Sequence, residues 1–152
     1  MKITFKEVDS NNKDLILNIK VDESQKYFID SLKECLKRAD KNSKLNPLAI
    51  YDGELLIGFA MYGFKKKLFG DRQLWIDHFI IDKNYQGKGY GKKAFLLLLE
   101  LVKSNKHNEI FLSVHCKNYS AIHVYEKYGF VKIDEKEVPW GIVQTVYMHS
   151  AK

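Results

Sequence analysis

Gln86-Gly87-Lys88-Gly89-Tyr90-Gly91-Lys92 is the stretch whose reading decides this chain. An apolar, strand-like run precedes it, Trp75 to Ile81, and an apolar, helix-like run follows it, Ala94 to Val102. Three glycines at alternating positions leave the main chain nearly bare. Bare main chain can wrap a ligand and aim its N–H groups at it. The helix behind turns its positive end toward the same spot, and two lysines add charge. The simplest reading is a phosphate pocket with a strand on one side and a helix on the other.

Outward from this turn the pattern reads β-α-α-β-β-β-α-β-α-β-β. Ile3, Phe5 and Val8 alternate with polar neighbours as a first strand. Ser10-Asn11-Asn12 offers a cap for a helix carrying Leu15, Ile16 and Ile19. A second helix is expected over Glu23–Ala39, with Phe28, Leu32, Cys35, Leu36 and Ala39 as its apolar stripe. Cys35 in that stripe reads as a core thiol. Lys41–Asn46 reads as a polar loop, and Pro47 ends any helix. Leu48–Tyr51 and Leu55–Phe64 form a hairpin about Asp52-Gly53. Then come a strand Leu74–Ile81, the glycine turn, a helix to about Ser104 and a strand Glu109–Cys116. Asn118 caps a helix that Gly129 stops, and Phe130–Val138 and Ile142–Met148 close the chain. Strand–helix–strand around the turn implies a parallel pair, and the early hairpin is antiparallel. The expected fold class is α/β (α+β), a mixed sheet with helices on both faces, forming one domain over residues 1–152.

Composition narrows the function classes. Hydrophobic residues make 45% and charged residues 29% of the chain, which is ordinary for a soluble globular protein and leaves no case for disorder. The opening MKITFKEV is read as carrying no signal peptide, and the longest apolar run, Ala94–Leu99, is too short to span a bilayer. Cys35 and Cys116 lie on unlike elements, which points to a reducing, cytoplasmic setting rather than a disulfide framework. The net charge of +6 is spread along the chain, with no basic tail and only two arginines. No nucleic-acid or membrane partner is expected from it, and Lys65-Lys66-Lys67 reads as a solvated loop between strands. The histidines show no metal-ligand spacing with the cysteines, so no metal is expected.

Three phosphate-binding readings compete at the turn. A Walker loop needs Gly, four residues, then Gly-Lys-Ser/Thr, and from Gly87 that spacing meets Lys92 where glycine is required. A dinucleotide fingerprint fits Gly89, Gly91 and Ala94 by letter, but the next strand ends Val114-His115-Cys116 without the acid that would hold a ribose. The third pattern is Gln/Arg-x-x-Gly-x-Gly/Ala, met by Gln86, Gly89 and Gly91. Downstream, Asn118-Tyr119-Ser120-Ala121-Ile122-His123-Val124-Tyr125-Glu126-Lys127-Tyr128-Gly129-Phe130 supplies a second pattern, Asn-x-x-Ala-x-x-x-Tyr-x-x-x-Gly-Phe.

Together these two patterns, about one helix and one strand apart, resemble motifs A and B of the GNAT superfamily of acetyl-CoA-dependent N-acetyltransferases. The resemblance covers essentially the whole chain. It implies a mostly antiparallel sheet of about six or seven strands with a central splayed parallel pair. By the same resemblance Gln86, Gly87, Lys88, Gly89, Tyr90, Gly91 and Lys92 bind the pyrophosphate of CoA. The backbone of Phe79, Ile80 and Ile81 binds its pantetheine arm as an added strand would. Asn118, Ala121 and Tyr125 line the cofactor, with the Tyr125 hydroxyl facing the thioester sulfur as general acid. Homodimers are the family habit.

The chemistry expected is direct attack of an amine on a thioester. An alkyl amine of pKa near 10.4 is neutral in only about one part in 10³ at pH 7, a handicap of roughly 4–5 kcal/mol, so the site needs a base or a depressed amine pKa. Asp77 and His78, just before the cofactor-binding edge, are the candidates. Beyond the motifs, Gly58–Gly63, Trp75–Asp77, Phe79–Asp82 and Tyr85–Gly89 are similar to bacterial spermine/spermidine acetyltransferases. A polyamine calls for carboxylates. Asp77 beside Trp75 would hold an ammonium near the thioester. Asp22, Glu23, Asp30 and Glu34 would hold distal amines, with Asp30 and Glu34 sharing a helix face. The alternatives are another acceptor (an antibiotic, amino-acid or protein amine), or a module that holds acetyl-CoA without turnover.

Overall fold

The computed structural model describes residues 1–23, 31–66, 72–137 and 143–150, the side chains of 143–145 excepted. The elements are β1 (Ile3–Glu7), α1 (Lys13–Leu17), α2 (Leu32–Lys41), β2 (Leu45–Asp52), β3 (Leu55–Lys65), β4 (Gln73–Ile81), α3 (Tyr90–Lys103), β5 (Glu109–His115), α4 (Tyr119–Lys127), β6 (Val131–Glu137) and β7 (Val143–Ser150). The strands form one seven-stranded sheet in the order β1-β2-β3-β4-β5-β7-β6. Every neighbouring pair is antiparallel except β4 and β5, the pair that the glycine turn and α3 connect. The element order and the mixed sheet are those expected. Among the described residues no helix is long and apolar enough to cross a membrane.

Each face of the sheet carries its own core. On one, Ala94, Phe95, Leu98 and Val102 of α3 pack on Leu74, Ile76 and Ile81 of β4 and on Ile110 and Leu112 of β5, and α4 adds Ile122, Val124 and Tyr125. On the other, Ile16, Leu32, Cys35 and Leu36 pack on Ala49, Phe59, Met61 and Ile80. Cys35 is fully buried there, as its place in the stripe implied.

Three local expectations change. Asn12 precedes α1, but its side chain makes no cap; its amide nitrogen donates to the Glu7 carbonyl and its oxygen accepts from the Asp9 N–H, so it locks the loop after β1 instead. The helix expected over Glu23–Ala39 does not run through Ser31. Ser31 is extended (φ −64°, ψ 149°), and its hydroxyl caps the Glu34 N–H, so α2 starts at Leu32. Phe28 and Asp30, and with Asp30 the shared face expected for it and Glu34, lie outside the described residues. β2 also begins earlier, at Leu45, with Pro47 inside it. Pro47 pairs with Met61 of β3 and lies before the stretch that β1 pairs, Leu48 to Asp52, so on the β1 side the missing N–H costs no ladder bond.

The decisive irregularity is in β4. Tyr62 of β3 lies opposite Ile76 and Met61 opposite His78, leaving Asp77 as an extra residue. The alternation of β4 slips by one there: Leu74 and Ile76 face α3, and so do Phe79 and Ile81. Such a bulge bends a strand and sharpens its twist. The parallel ladder to β5 consists of Leu74–Ile110 and Trp75–Phe111 and ends just before the bulge. β5 meanwhile stays paired with β7 from Glu109 to His115. Among the described residues, the β5-facing edge of β4 beyond Trp75 therefore has no ladder partner.

Candidate active site

The glycine turn follows directly from the end of β4. Asp82 starts a single 3-10 turn, Lys83–Tyr85, by accepting from the Asn84 N–H, and its other oxygen accepts from the Lys20 N–H. The Gln86 amide donates to the Ile81 carbonyl at 2.8 Å, which ties the turn to the last residue of the strand. Gly87 and Gly89 then take φ of +75° and +86°, a region that L side chains avoid. Space over Gly87 is open: a Cβ there would meet nothing within 4 Å. Gly89 is also the N-cap of α3 and has no side chain to cap with, so the first-turn N–H groups of α3 are left for a ligand. Tyr90 is anchored from below, its hydroxyl donating to Asp52 at 2.6 Å, which raises the phenol and lowers the carboxyl from their ordinary values. Lys88 and Lys92 are exposed. Lys92 lies against Lys127 of α4, and that contact pushes the Lys127 ammonium down.

These features fit the diphosphate of a CoA-type cofactor. Bare donors, a helix N-terminus and lysines converge on open space. The unpaired edge of β4 at Phe79, Ile80 and Ile81 leads away from that spot and offers main-chain N–H and C=O groups to an extended amide arm.

α4 approaches from the α3 side. Asn118 caps it by accepting from the Ala121 N–H at 3.4 Å, and Ala121 is partly buried against the α3 core. The Tyr125 ring sits 5.0 Å from Phe95 and 6.1 Å from Phe130, and Phe95 in turn meets Phe79 edge-on at 5.4 Å. Tyr125 is half-buried, and burial pushes its phenol up to about 12.

The opposite face of β4 is charged. The Asp77 side chain is only 4% exposed and meets Arg38 of α2 at 2.9 Å and Lys65 at the end of β3. Burial works to raise this carboxyl. The Arg38 hydrogen bond and the Lys65 charge outweigh it and hold the group below the usual carboxylate range. An acid held low is a poor proton acceptor, which tells against Asp77 as the base. An ammonium from outside would also have to displace a cation already there. His78 is buried with its ring 5.7 Å from Phe59, on the α2 side. Trp75, the last rung of the parallel ladder, stacks on Phe111 at 5.5 Å, with the Lys65 ammonium 5.1 Å from its ring. Asp22 is half-buried and Glu23 exposed, both ahead of α2; Glu34 is exposed in its first turn; Asp30 lies outside the described residues.

Two partners of Asp77 were not foreseen. Lys65 read as part of a solvated loop, yet it belongs to β3 opposite Gln73. Lys67 lies outside the described residues. Arg38 carried one signal, an arginine in a chain whose other basic residues, Arg72 apart, are lysines.

Residues 12–130 match the acetyltransferase (GNAT) family. The spermine/spermidine N(1)-acetyltransferase of Bacillus subtilis (strain 168) is 37% identical over 134 residues, 86% of this chain and 88% of that protein. The spermidine N-acetyltransferase of Vibrio cholerae, solved in complex with CoA and spermine, superposes with a TM-score of 0.77 at 18% identity, covering 99% of this chain and 96% of that one. An aminoglycoside N(6')-acetyltransferase from Legionella pneumophila superposes equally well, at 0.77 and 18% identity over 99% and 93% of the two chains. At such identity the superpositions bear on the fold alone, and the fold does not select an acceptor.

Proposed function

The chain belongs to the acetyltransferase (GNAT) family and is an N-acetyltransferase that draws on acetyl-CoA, and we propose that its acceptor is a polyamine of the spermidine/spermine type. What carries this reading is the 37% identity, over most of both chains, to a bacterial spermine/spermidine N(1)-acetyltransferase.

The bound cofactor supplies an acetyl group as a thioester, a carbonyl open to attack by a neutral amine. In this reading the N–H groups of Gly87 to Lys92 and the α3 N-terminus grip the diphosphate, and the edge of β4 at Phe79–Ile81 aligns the arm. Asn118 and Ala121 fix the start of α4 and so the height of Tyr125. Tyr125 holds its proton. Against a thiol of pKa near 8.5, a phenol near 12 is disfavoured as a full proton donor by about 5 kcal/mol. Its part is therefore to donate a hydrogen bond to charge developing on sulfur.

The acceptor approaches from the α2 face. A substrate ammonium reaches Asp77 by taking the place of Lys65, and Asp22, Glu23, Asp30 and Glu34 offer charges to the distal amines. His78, next to Asp77 and facing the same side, is the candidate to receive the amine proton. The donor on α4 and the base on β4 then flank the unpaired edge from opposite faces of the sheet.

A turnover screen with acetyl-CoA across spermidine, spermine, a monoamine, an aminoglycoside and free amino acids tests the acceptor. The expected result is a kcat/KM for spermidine or spermine at least tenfold above the rest. A preferred aminoglycoside or amino acid would replace the polyamine. Acetyl-CoA binding without release of free CoA thiol in the presence of any of these amines would leave a carrier module.

A further inference from the structure

Beyond the cofactor turn and the acceptor face lies a cavity of about 450 Å³ where the end of α2, the start of β2 and the end of β3 meet. Its wall carries Arg38, Lys41, Lys44, Lys65, Lys66 and Arg72, over an apolar floor of Leu45 and Phe64. The volume falls within the range of small-molecule pockets. Asp77 bridges to this set by touching Arg38 and Lys65. Lys41, Lys44, Lys66 and Arg72 are exposed.

We propose that this cavity is a binding site for a small polyanion of the di- or triphosphate class. Lys41, Lys44, Lys66 and Arg72 add four exposed cations to Arg38 and Lys65, which share Asp77, and an anion with several oxygens can bridge several of these cations at once. The two arginines can each grip two oxygens, and the lysines act as point charges around them. The C-terminal end of α2 opposes an anion, but the helix end carries about half a charge, against several whole positive ones. The cavity is too small for a nucleic-acid duplex. Arg38 and Lys65 also neutralise Asp77, so an anion seated here competes with that carboxylate for its partners. The charge state of the β4 bulge then follows occupancy of the cavity. This site does not depend on which amine the protein acetylates.

Calorimetric titration of the full chain with inorganic tripolyphosphate, at low salt and with the cofactor turn saturated by CoA, reads the site directly. One saturable site per chain is expected. Affinity should fall at least tenfold in the double variant Lys44→Glu, Arg72→Glu, with CoA affinity unchanged. Lys41→Gln, an exposed change at the end of α2, should weaken binding by a smaller factor and keeps the test decisive if the double variant does not fold. Absence of saturable binding, or equal binding by wild type and variants, overturns the proposal. So does binding that vanishes once CoA is present, because the probe was then reporting the glycine turn. A short DNA duplex that outcompetes tripolyphosphate and is lost in the same variants would mean an open basic surface, and overturns it as well. Should CoA itself fail to bind, the same titrations without CoA still read the cavity, so the two readings fail separately.

Discussion

On its α3 side, β4 presents main chain and apolar rings: a strand edge with no ladder partner among the described residues, glycines at positive φ in the turn that follows, and Tyr125 packed against Phe95 and Phe130. On its α2 side the same strand presents charge: Asp77 between two cations, with a basic cavity beyond. A single extra residue separates the two. Asp77 interrupts the ladder to β3 just past the point where the ladder to β5 ends, and its carboxylate meets Arg38 of α2. Under the proposed function the cofactor side would need shape, because a diphosphate and an amide arm are common to every turnover. The acceptor side would need charge that can be rearranged, because it would admit and release a cation.

If that division is right, substitutions on the α3 side should change chemistry or cofactor affinity, and substitutions on the α2 side should change acceptor choice and stability. The largest effect is expected at Tyr125. Tyr125→Phe removes one donor to developing charge and should lower kcat by about 10²-fold, the usual loss for such a donor, with CoA affinity within twofold of wild type. Full activity in that variant would strike Tyr125 from the mechanism. Gly89→Val comes next. A branched side chain at φ +86° is strained by about 1–2 kcal/mol or more, so CoA should bind at least tenfold more weakly by calorimetry while polyamine KM, measured at saturating acetyl-CoA, barely moves. An unchanged CoA affinity would mean that the turn does not need the left-handed geometry.

Asp77→Asn tests the other side. It leaves Arg38 and Lys65 without their carboxylate, and because both cations are partly exposed the loss of stability should be only about 1–2 kcal/mol. The Asp77 carboxyl titrates below its unfolded value, so its contribution is complete above about pH 4 and disappears as pH falls through the lower, folded pKa. Denaturant midpoints of wild type and variant should therefore differ at pH 6 and converge on acidification. A gap that is constant with pH would mean that the ion pairs contribute nothing. In kinetics, KM for spermidine should rise more than KM for a monoamine; equal rises would remove the ammonium-holding role.

The α3 side was legible in the sequence and the α2 side was not, for a physical reason. The turn Gln86–Lys92 and the helix start at Asn118 are local: glycines at fixed offsets shape the backbone, and the Asn118 side chain caps the run that follows it, as that of Asn12 does not. The slip from Ile76 to Phe79 is local too, although alternation through Trp75–Ile81 reads as a plain strand unless the faces are counted. Arg38 and Asp77, by contrast, are brought together by the packing of α2 on the sheet, and nothing near either residue announces the other. Ser31 misled for a related reason. The apolar stripe runs on through it at helical spacing, and only the extended backbone with its cap shows that the helix starts there.

The smallest expected effect concerns the shape of a curve. If Tyr125 passed its proton fully to sulfur from an ordinary phenol, loss of that proton near pH 10 would bend the alkaline limb of kcat, and Tyr125→Phe would abolish the bend. A phenol pushed up to about 12 stays protonated two units further. Wild type and Tyr125→Phe should then show parallel pH–rate profiles up to about pH 10, offset by a constant factor. A hydrogen bond that is always donated scales the rate without titrating; a proton that is spent and recovered does not. A wild-type alkaline limb with a midpoint below 10, missing from the variant, would mean that the hydroxyl is solvated once ligands bind, and that the apolar packing of Phe95 and Phe130 opens during turnover.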